Sequence, residues 1–551
     1  MTNEIKLQRD RFMGFSFAAA DLLIELDGQG SILFCMGASQ NIFGMPVDAL
    51  IHQPFDQLVS DTDKTMLVFL FDSINIGERR GPIKIHALKN NQEIPVQLSI
   101  FKMPNDTGRM HVVLNNLDPL SLGLNDPNRD AESNLLTKQA FFTMAEATIN
   151  DAKNKGGDID LTLIEMPSEI VLNEQMGAEN AIKFKSKTAS LLRALSLNDS
   201  AASLDENSYS VIHKHDLKNH QITKEIENIS KKYNTDGQSI KIGTTTIEID
   251  TEVNADEMSR ALAYTINQYV SDNQFTAGSS STESFEKQVN SQILNTVDQI
   301  KWFKNVIHKN KIGYVAQQIV DIKTKRVRHY EMLVRFEPNV SPYQKLIFAE
   351  KVGIIHELDL VILENAINWL NDTNKLPNFS LAVNISAASI ARADFCFKML
   401  KLVNSKLRNP KNLLIEITES SEIDSFKKVN EFFRNIRTKG VKICIDDFGA
   451  GAASLNYLRH LDVDIVKIDG SYIRECMKYG REDKILKAMI NLCKSMNMKT
   501  IAEQIETPQQ AKYLLELGVD YGQGYFFHKP ASIKSLVDEL KKPPQKAKKI
   551  A

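Results

Sequence analysis

The chain has 551 residues, a length that suggests three or four domains. Lys and Arg total 67 against 69 Asp and Glu, a net charge of −2, so no global field directs the chain to DNA, RNA or a membrane surface. Apolar residues make up 42%, enough for several cores, yet no apolar run approaches the roughly 20 residues of a membrane span.

The start, MTNEIKLQRDRF, is too charged for a secretory leader. The cysteines Cys35, Cys396, Cys444, Cys476 and Cys493 show no paired spacing. They read as reduced thiols, and the expected location is the cytoplasm. The basic tail KKPPQKAKK is short, carries two prolines and reads as a solvated terminus.

Residues 10–118 open with two short strand patterns, LLIEL and SILFCM. Two small helical stretches follow, SQNIFG and PVDALI, then a helix and three strands, GPIKIHAL, QEIPVQLSIFKM and RMHVVLNNL. This order resembles an α+β PAS sensor domain. No cofactor is assigned to it. Cys35 lies in a strand pattern and reads as a core thiol, and His52 reads as a surface loop residue.

Residues 133–272 resemble an α/β GGDEF diguanylate cyclase domain. NLLTKQAFFTMAEATINDAK matches its first helix, LTLIEM (161–166) its first strand, and LNEQMGAENAIKFKSKTASLLRAL its next helices. Where the family carries GGDEF this chain has DENSY, 205–209. The paired glycines that let backbone approach a nucleotide are replaced by Asp205 and Glu206, and the catalytic acids by Asn207 and Ser208. Glu165 stands at the first-strand metal position beside Pro167, and the inhibitory RxxD site keeps Asp199 but has Ser196 for its arginine. Gly156-Gly157-Asp158 spells GGD but precedes the strand and reads as a loop. The resemblance implies an inactive, degenerate domain, with GTP or another regulatory ligand left open.

TAGSSSTES (276–284) reads as a flexible linker by composition. FEKQVNSQILNTVDQIKWFKNVIHKN then has helical periodicity.

From there to about residue 540, six apolar runs each lead to a polar residue: HYEMLVRFE, SLAVNIS, LLIEIT, KICIDDFG, DIVKIDG and KTIAEQIE. Short apolar runs alternating with amphipathic helical stretches predict buried parallel strands in a closed (β/α)8 barrel, with its chemistry at the carboxyl ends of the strands. The polar residues are Glu331, Asn384, Glu416, Asp446, Asp447, Lys467 and Glu503. Several carboxylates in one place repel each other unless cations join them, and an all-oxygen ligand set selects Mg²⁺ or Mn²⁺.

These residues also carry a resemblance. AQQIVDIKTKRVRHYEMLVR (316–335) is similar to the opening of the EAL-type cyclic di-GMP phosphodiesterases, with EML in place of EAL. In family order follow VNIS (383–386), EITES (416–420), DDFGAGAASL (446–455), VKIDG (466–470), AEQIET (502–507) and GQGYFFHKP (522–530). The resemblance covers about 250 residues, placed at 285–540. It implies a two-metal site that hydrolyses cyclic di-GMP to pGpG. Glu331, Asn384, Glu416 and Asp446 would hold the first metal, and Asp446 and Asp447 the second. Lys467 would stand beside the nucleophilic water and Glu503 would be the general base. Gln317, Arg335 and Gln523 would face the substrate, with Glu419 and Glu506 as supporting carboxylates. Gln318 replaces the family's usual proline. In DDFGAGAASL, Ala450, Ala452 and Ala453 replace the TGYSS hydroxyls and ring of a loop that in the family contributes to a dimer contact, so a homodimer stays open. The competing expectation is a non-catalytic cyclic di-GMP receptor.

Overall fold

The structure is a computed structural model. It describes residues 20–103, 108–117, 126–217, 219–271, 282–337, 340–372, 379–418, 426–449, 454–475, 480–533 and 535–536. The chain divides into two compact units, Met1–Gln299 and Ile300–Ala551. No helix among the described residues is long and apolar enough to cross a membrane.

The first unit begins with strands β1 (Leu22–Leu26), β2 (Ile32–Gly37), β3 (Arg79–Lys89), β4 (Gln92–Lys102) and β5 (Met110–Asn116). They form one antiparallel sheet in the order β2-β1-β5-β4-β3. Alternate residues Leu22, Ile24 and Leu26, and Val96, Leu98 and Ile100, are buried, as expected of a sheet with one covered face. The cover includes the helix Asp61–Ser73, through Met66, Leu67 and Leu70. The predicted element order is the one observed. Cys35 is buried in this core, and burial pushes its thiol up to about 11. His52 is exposed.

A second sheet in the same unit comprises β6 (Ile159–Glu165), β7 (Ala202–Ser203), β8 (Ser208–Lys214) and β9 (Gly243–Ile249), in the order β7-β8-β6-β9 and antiparallel throughout. The helix Lys138–Lys155 ends at Gly156, whose φ of 67° makes it the left-handed cap. The GGD string is therefore a loop before β6, as expected.

A buried ion network runs through the first unit. Arg193 is 2% exposed. Its Nη1 donates to Asp63 Oδ1 at 3.0 Å, and its Nε and Nη2 donate to the two Asp199 carboxylate oxygens, each at 3.0 Å. Arg129 Nη2 donates to Asp199 Oδ2 at 2.7 Å. The fork of a guanidinium suits this bidentate pairing. Asp199 thus keeps arginine partners, but they are Arg193 and Arg129 rather than position 196.

The linker reading is corrected at its end: the helix Thr282–His308 already includes Thr282, Glu283 and Ser284. Ser and Thr, which read as linker by composition, are also residues that begin helices. Residues 276–281 lie outside the described residues.

The second unit is a closed barrel of β10 (Gly313–Asp321), β11 (Val327–Arg335), β12 (Leu381–Asn384), β13 (Leu413–Thr418), β14 (Lys442–Phe448), β15 (Ile465–Ile468), β16 (Lys499–Ala502) and β17 (Tyr521–Gly522), with β18 (Ala531–Ser532) added outside on β10. From β11 to β17 every pair is parallel. The six predicted runs, β11 to β16, are thus parallel as expected, while β10, which is not one of them, is antiparallel to both β11 and β17. The turn between β10 and β11 is too short for the crossover that a parallel pair needs.

Inside the barrel Ile319, Ala382, Leu414, Cys444, Ile465 and Ile501 form an apolar floor, with Tyr521 against it. Strand side chains repeat every two residues on one face. One step above this floor therefore stand Gln317, Asn384, Glu416, Asp446, Lys467, Glu503 and Gln523. In the strand register Glu331 pairs with Gln317 and Ala382, and Asn384 with Glu416.

Replacing Arg193 with Ala should destabilise the first unit by about 3–5 kcal/mol, because buried Asp63 loses its guanidinium and buried Asp199 keeps only Arg129. Burial works against the Asp63 carboxylate, but His86 hydrogen bonds and Arg193 outweigh it and hold the group at about 2, against an ordinary 3.8. A depressed carboxylate stabilises the fold above its unfolded pKa. Asp63 should contribute about 2 kcal/mol above pH ~4, lost as pH falls from 3.8 through 2. Urea unfolding of Asp63→Asn against the parent between pH 2 and 6 checks this, and an unchanged pH slope would contradict it.

Candidate active site

Lys467 is 1% exposed and stands among four carboxylates. Its Nζ lies 2.7 Å from Glu503 Oε1, 2.9 Å from Asp446 Oδ1, 3.2 Å from Glu416 Oε2 and 3.6 Å from Glu331 Oε2. Burial alone would strip its proton, but Asp446, Glu331, Glu416 and Glu503 push its pKa well above 10.5. The carboxylates respond unequally. Burial opposes the charge on Glu331, yet Lys467 and hydrogen bonds from Gln523 and Asn384 hold it below its ordinary value. Glu416 is pushed well up by burial, with repulsion from Glu331 and Asp446 added. Glu503 is raised to about 8, chiefly by burial, while Lys467 pulls the other way.

Asp446 and Asp447 are consecutive, so a regular strand would send them to opposite faces. β14 is irregular here: its register with β15 shifts between Ile445 and Phe448, and Asp447 adopts φ 54°. The bulge lies within the strand rather than beyond its end. Asp447 N donates to Asp446 Oδ1 at 3.0 Å. Its carboxyl is raised to about 6 by burial and then by Asp446.

Gln523 Nε2 donates to Glu331 Oε2 at 2.6 Å and lies 3.1 Å from Gln317 Oε1, while Gln317 Nε2 donates to His528 O at 3.1 Å. Both amides are buried; Gln523 braces Glu331, and Gln317 holds Gln523 in turn. Arg335 is half-buried, with Nη1 donating to Val334 O at 2.7 Å, and among the described residues no ion pair joins it to the carboxylates. Glu506 is exposed and no hydrogen bond or ion pair links its carboxylate to this cluster. Glu419 and residues 450–453 lie outside the described residues.

Glu331, Glu416 and Asp446 each place a carboxylate oxygen within 4.8 Å of the others, and so do Asp446, Asp447 and Glu503. Glu416 Oε1 and Asn384 Oδ1 are buried without a hydrogen-bond partner. Asn384 Nδ2 is meanwhile engaged with Glu331 Oε1 at 2.8 Å, so its free atom is the acceptor. Orphaned acceptors beside surplus negative charge fit hard divalent cations. His329 lies two residues before Glu331 on β11 and has no metal-ligand spacing in the sequence. It is buried in the barrel, and burial holds it near 3, so it is neutral.

In the first unit the tip of the β7–β8 hairpin is an Asx turn: Asp205 Oδ1 accepts from Asn207 N and Ser208 N, both at 2.8 Å. Glu165 ends β6, its carboxyl raised by burial and by Asp205.

Residues 300–530 match the family model described as EAL domain, so an EAL domain is present in this chain. The chain is similar to a protein of Escherichia coli named cyclic di-GMP phosphodiesterase PdeF, at 26% identity over 254 residues, covering 45% of this chain and 34% of that one. It is similar to cyclic di-GMP phosphodiesterase NbdA of Pseudomonas aeruginosa at 23% identity over 452 residues, covering 79% of this chain and 57% of that one. It thus spans between 34% and 57% of the length of these two relatives. A solved EAL domain protein from Listeria monocytogenes is 32% identical, covering 43% of this chain and 94% of that one with a TM-score of 0.39.

In a chelator, Glu416→Gln should unfold at or above the parent's temperature, because it removes a buried, strained carboxylate. The gain in Tm on adding Mn²⁺ should shrink with the same change. Acids raised in the fold destabilise it as they ionise, so parent stability without metal should decline as pH rises from 4.5 through about 8. Calorimetric scans with and without Mn²⁺ read both effects, and a Glu416→Gln protein with the full Mn²⁺ shift would contradict the ligand role.

Proposed function

We propose that the EAL barrel hydrolyses cyclic di-GMP to linear pGpG, under control of the first unit. The observation that carries this reading is the fully buried Lys467 ringed by Glu331, Glu416, Asp446 and Glu503, with two orphaned oxygen acceptors beside it. The names of curated relatives support the substrate.

Two divalent cations, Mg²⁺ or Mn²⁺, held by Glu331, Asn384, Glu416 and Asp446 and by Asp446 and Asp447, would supply an activated water and charge neutralisation at phosphorus. Glu503 takes the proton of the attacking water. Burial raises Glu503 to about 8, and Lys467, 2.7 Å away, pulls against that rise toward the ionised form a general base needs. The water oxygen bonds to phosphorus, the P–O3′ bond breaks, and the leaving 3′-oxygen takes a proton from solvent to become a hydroxyl, while Glu503 later releases to solvent the proton it took. The Lys467 ammonium balances charge on the attacked side. Arg335 offers a planar fork to the second phosphate, and Gln317 contacts the nucleotide while Gln523 orients Glu331.

We read the first sheet as the PAS-like sensor and the second as the degenerate GGDEF domain. The observed element order supports the first reading, and DENSY supports the second. Asp205 is spent on its own turn, and Asn207 and Ser208 cannot hold a GTP-bound metal.

Purified protein with Mg²⁺ or Mn²⁺ should convert cyclic di-GMP to pGpG. Glu503→Gln should lose about 10²–10⁴ in kcat while its cyclic di-GMP Kd stays within a few-fold. Tight binding without product under either metal would favour the receptor alternative. GTP should yield no cyclic di-GMP, even in a Glu503→Gln background where product would accumulate.

A further inference from the structure

The mechanism above assigns nothing to one further buried carboxylate of the second unit. Asp359, on the helix Ile355–Asn371, is 3% exposed and pairs with no cation among the described residues. Its Oδ2 accepts from Ser386 N at 3.0 Å and from Ser389 Oγ at 2.7 Å. Ser386 Oγ in turn donates to Glu350 Oε1 at 2.9 Å and accepts from Ala388 N at 3.2 Å, as the cap of the short helix Ala387–Ile390. Two carboxylates on two helices thus hold one serine.

That serine stands two residues beyond Asn384, the last residue of β12. Between them, Ile385 N donates to Glu416 O at 2.9 Å on the next strand. The stretch 384–386 is therefore pinned on one side to β13 and on the other to Asp359 and Glu350. Asn384 itself spends its amide N–H on Glu331 and leaves Oδ1 without a partner. A swing of this backbone would turn that oxygen away. Burying an acid without a cation is costly, and an apolar side chain would suit a helix–barrel contact better. Burial drives Asp359 up to about 7 despite the Ser389 and Ser386 hydrogen bonds, with Glu350 adding repulsion. A neutral acceptor of the same shape is therefore a fair replacement.

We propose that Asp359 is a positioning residue: by holding Ser386 N and Ser389 Oγ it fixes the Asn384 amide with Oδ1 free for a divalent cation. This rests on the metal-dependent reading of the barrel, so the test reads metal binding separately from turnover.

The experiment titrates the full chain with Mn²⁺, following free Mn²⁺ by its electron paramagnetic resonance signal, and repeats the titration as hydrolysis of cyclic di-GMP. Circular dichroism confirms that each variant folds. Asp359→Ala should weaken Mn²⁺ binding about 10-fold or more, with kcat at saturating Mn²⁺ within about threefold of the parent. Asp359→Asn keeps an acceptor at the same place and should rescue Mn²⁺ affinity to within about threefold. Ser389→Ala removes one of the two hydrogen bonds and should give an intermediate shift, which carries the test should Asp359→Ala not fold. Parent-like Mn²⁺ affinity in a folded Asp359→Ala or Ser389→Ala protein would overturn the proposal, as would an Asn variant no better than Ala. A parent that binds Mn²⁺ but makes no pGpG would sink the phosphodiesterase reading and leave this one standing.

Discussion

One ammonium in a ring of carboxylates sets the terms for the second unit. Lys467 and its four acidic neighbours are each unfavourable alone in a dry barrel and favourable only together. The balance is incomplete: Glu331, Glu416, Asp446 and Glu503 face one positive charge, with Asp447 next to them. The surplus appears as Glu416 and Glu503 raised above their ordinary values, and as acceptors without donors. A fold selected for stability alone would remove these acids. Under the proposed function, a cation-dependent reaction accounts for the cost of keeping them.

The ring was legible in the sequence because a barrel strand repeats every two residues. Each polar residue follows an apolar one by two: Leu414 then Glu416, Cys444 then Asp446, Ile465 then Lys467, Ile501 then Glu503. The lower residue builds the floor and the upper one the site, so the pattern of the strings already encodes the stacking. Three features were not legible. The Asp446-Asp447 pair needs a bulge inside β14, and DDFG shows only that the chain turns nearby. The antiparallel β10 follows from a short connection, which apolar runs do not reveal. Asp359 sits 25 residues before Asn384 on a helix, where its alternation with apolar neighbours resembles any amphipathic surface.

The first unit shows the same limit. Element order along 20–117 followed directly from period-two strands and turn residues. The pairing of Arg193 with Asp63 spans 130 positions and carries no local signal. Asp199 looked like a relic whose arginine had been lost at position 196. The structure gives it two other arginines, so its present role is to anchor a buried network. An acid kept for packing and an acid kept for ligand binding look alike in a sequence, and only the partners separate them.

The closing seam of the barrel and the candidate site share residues. The seam joins β17 to the antiparallel β10, and there Gln523 bridges to Glu331 on β11 and to Gln317 on β10. Gln523 is placed by the chain turn that follows β17. Ile505 N donates to Gln523 O at 3.0 Å, and a Cβ on Gly524 would meet Ile505 O at 2.1 Å, so only glycine fits against that backbone. The position of Glu331 therefore depends on closure, through a glutamine held by a glycine contact. A change that loosens the seam would act on the carboxylate ring without touching any of its members. This coupling explains why polar residues occupy a seam that apolar side chains would close more tightly.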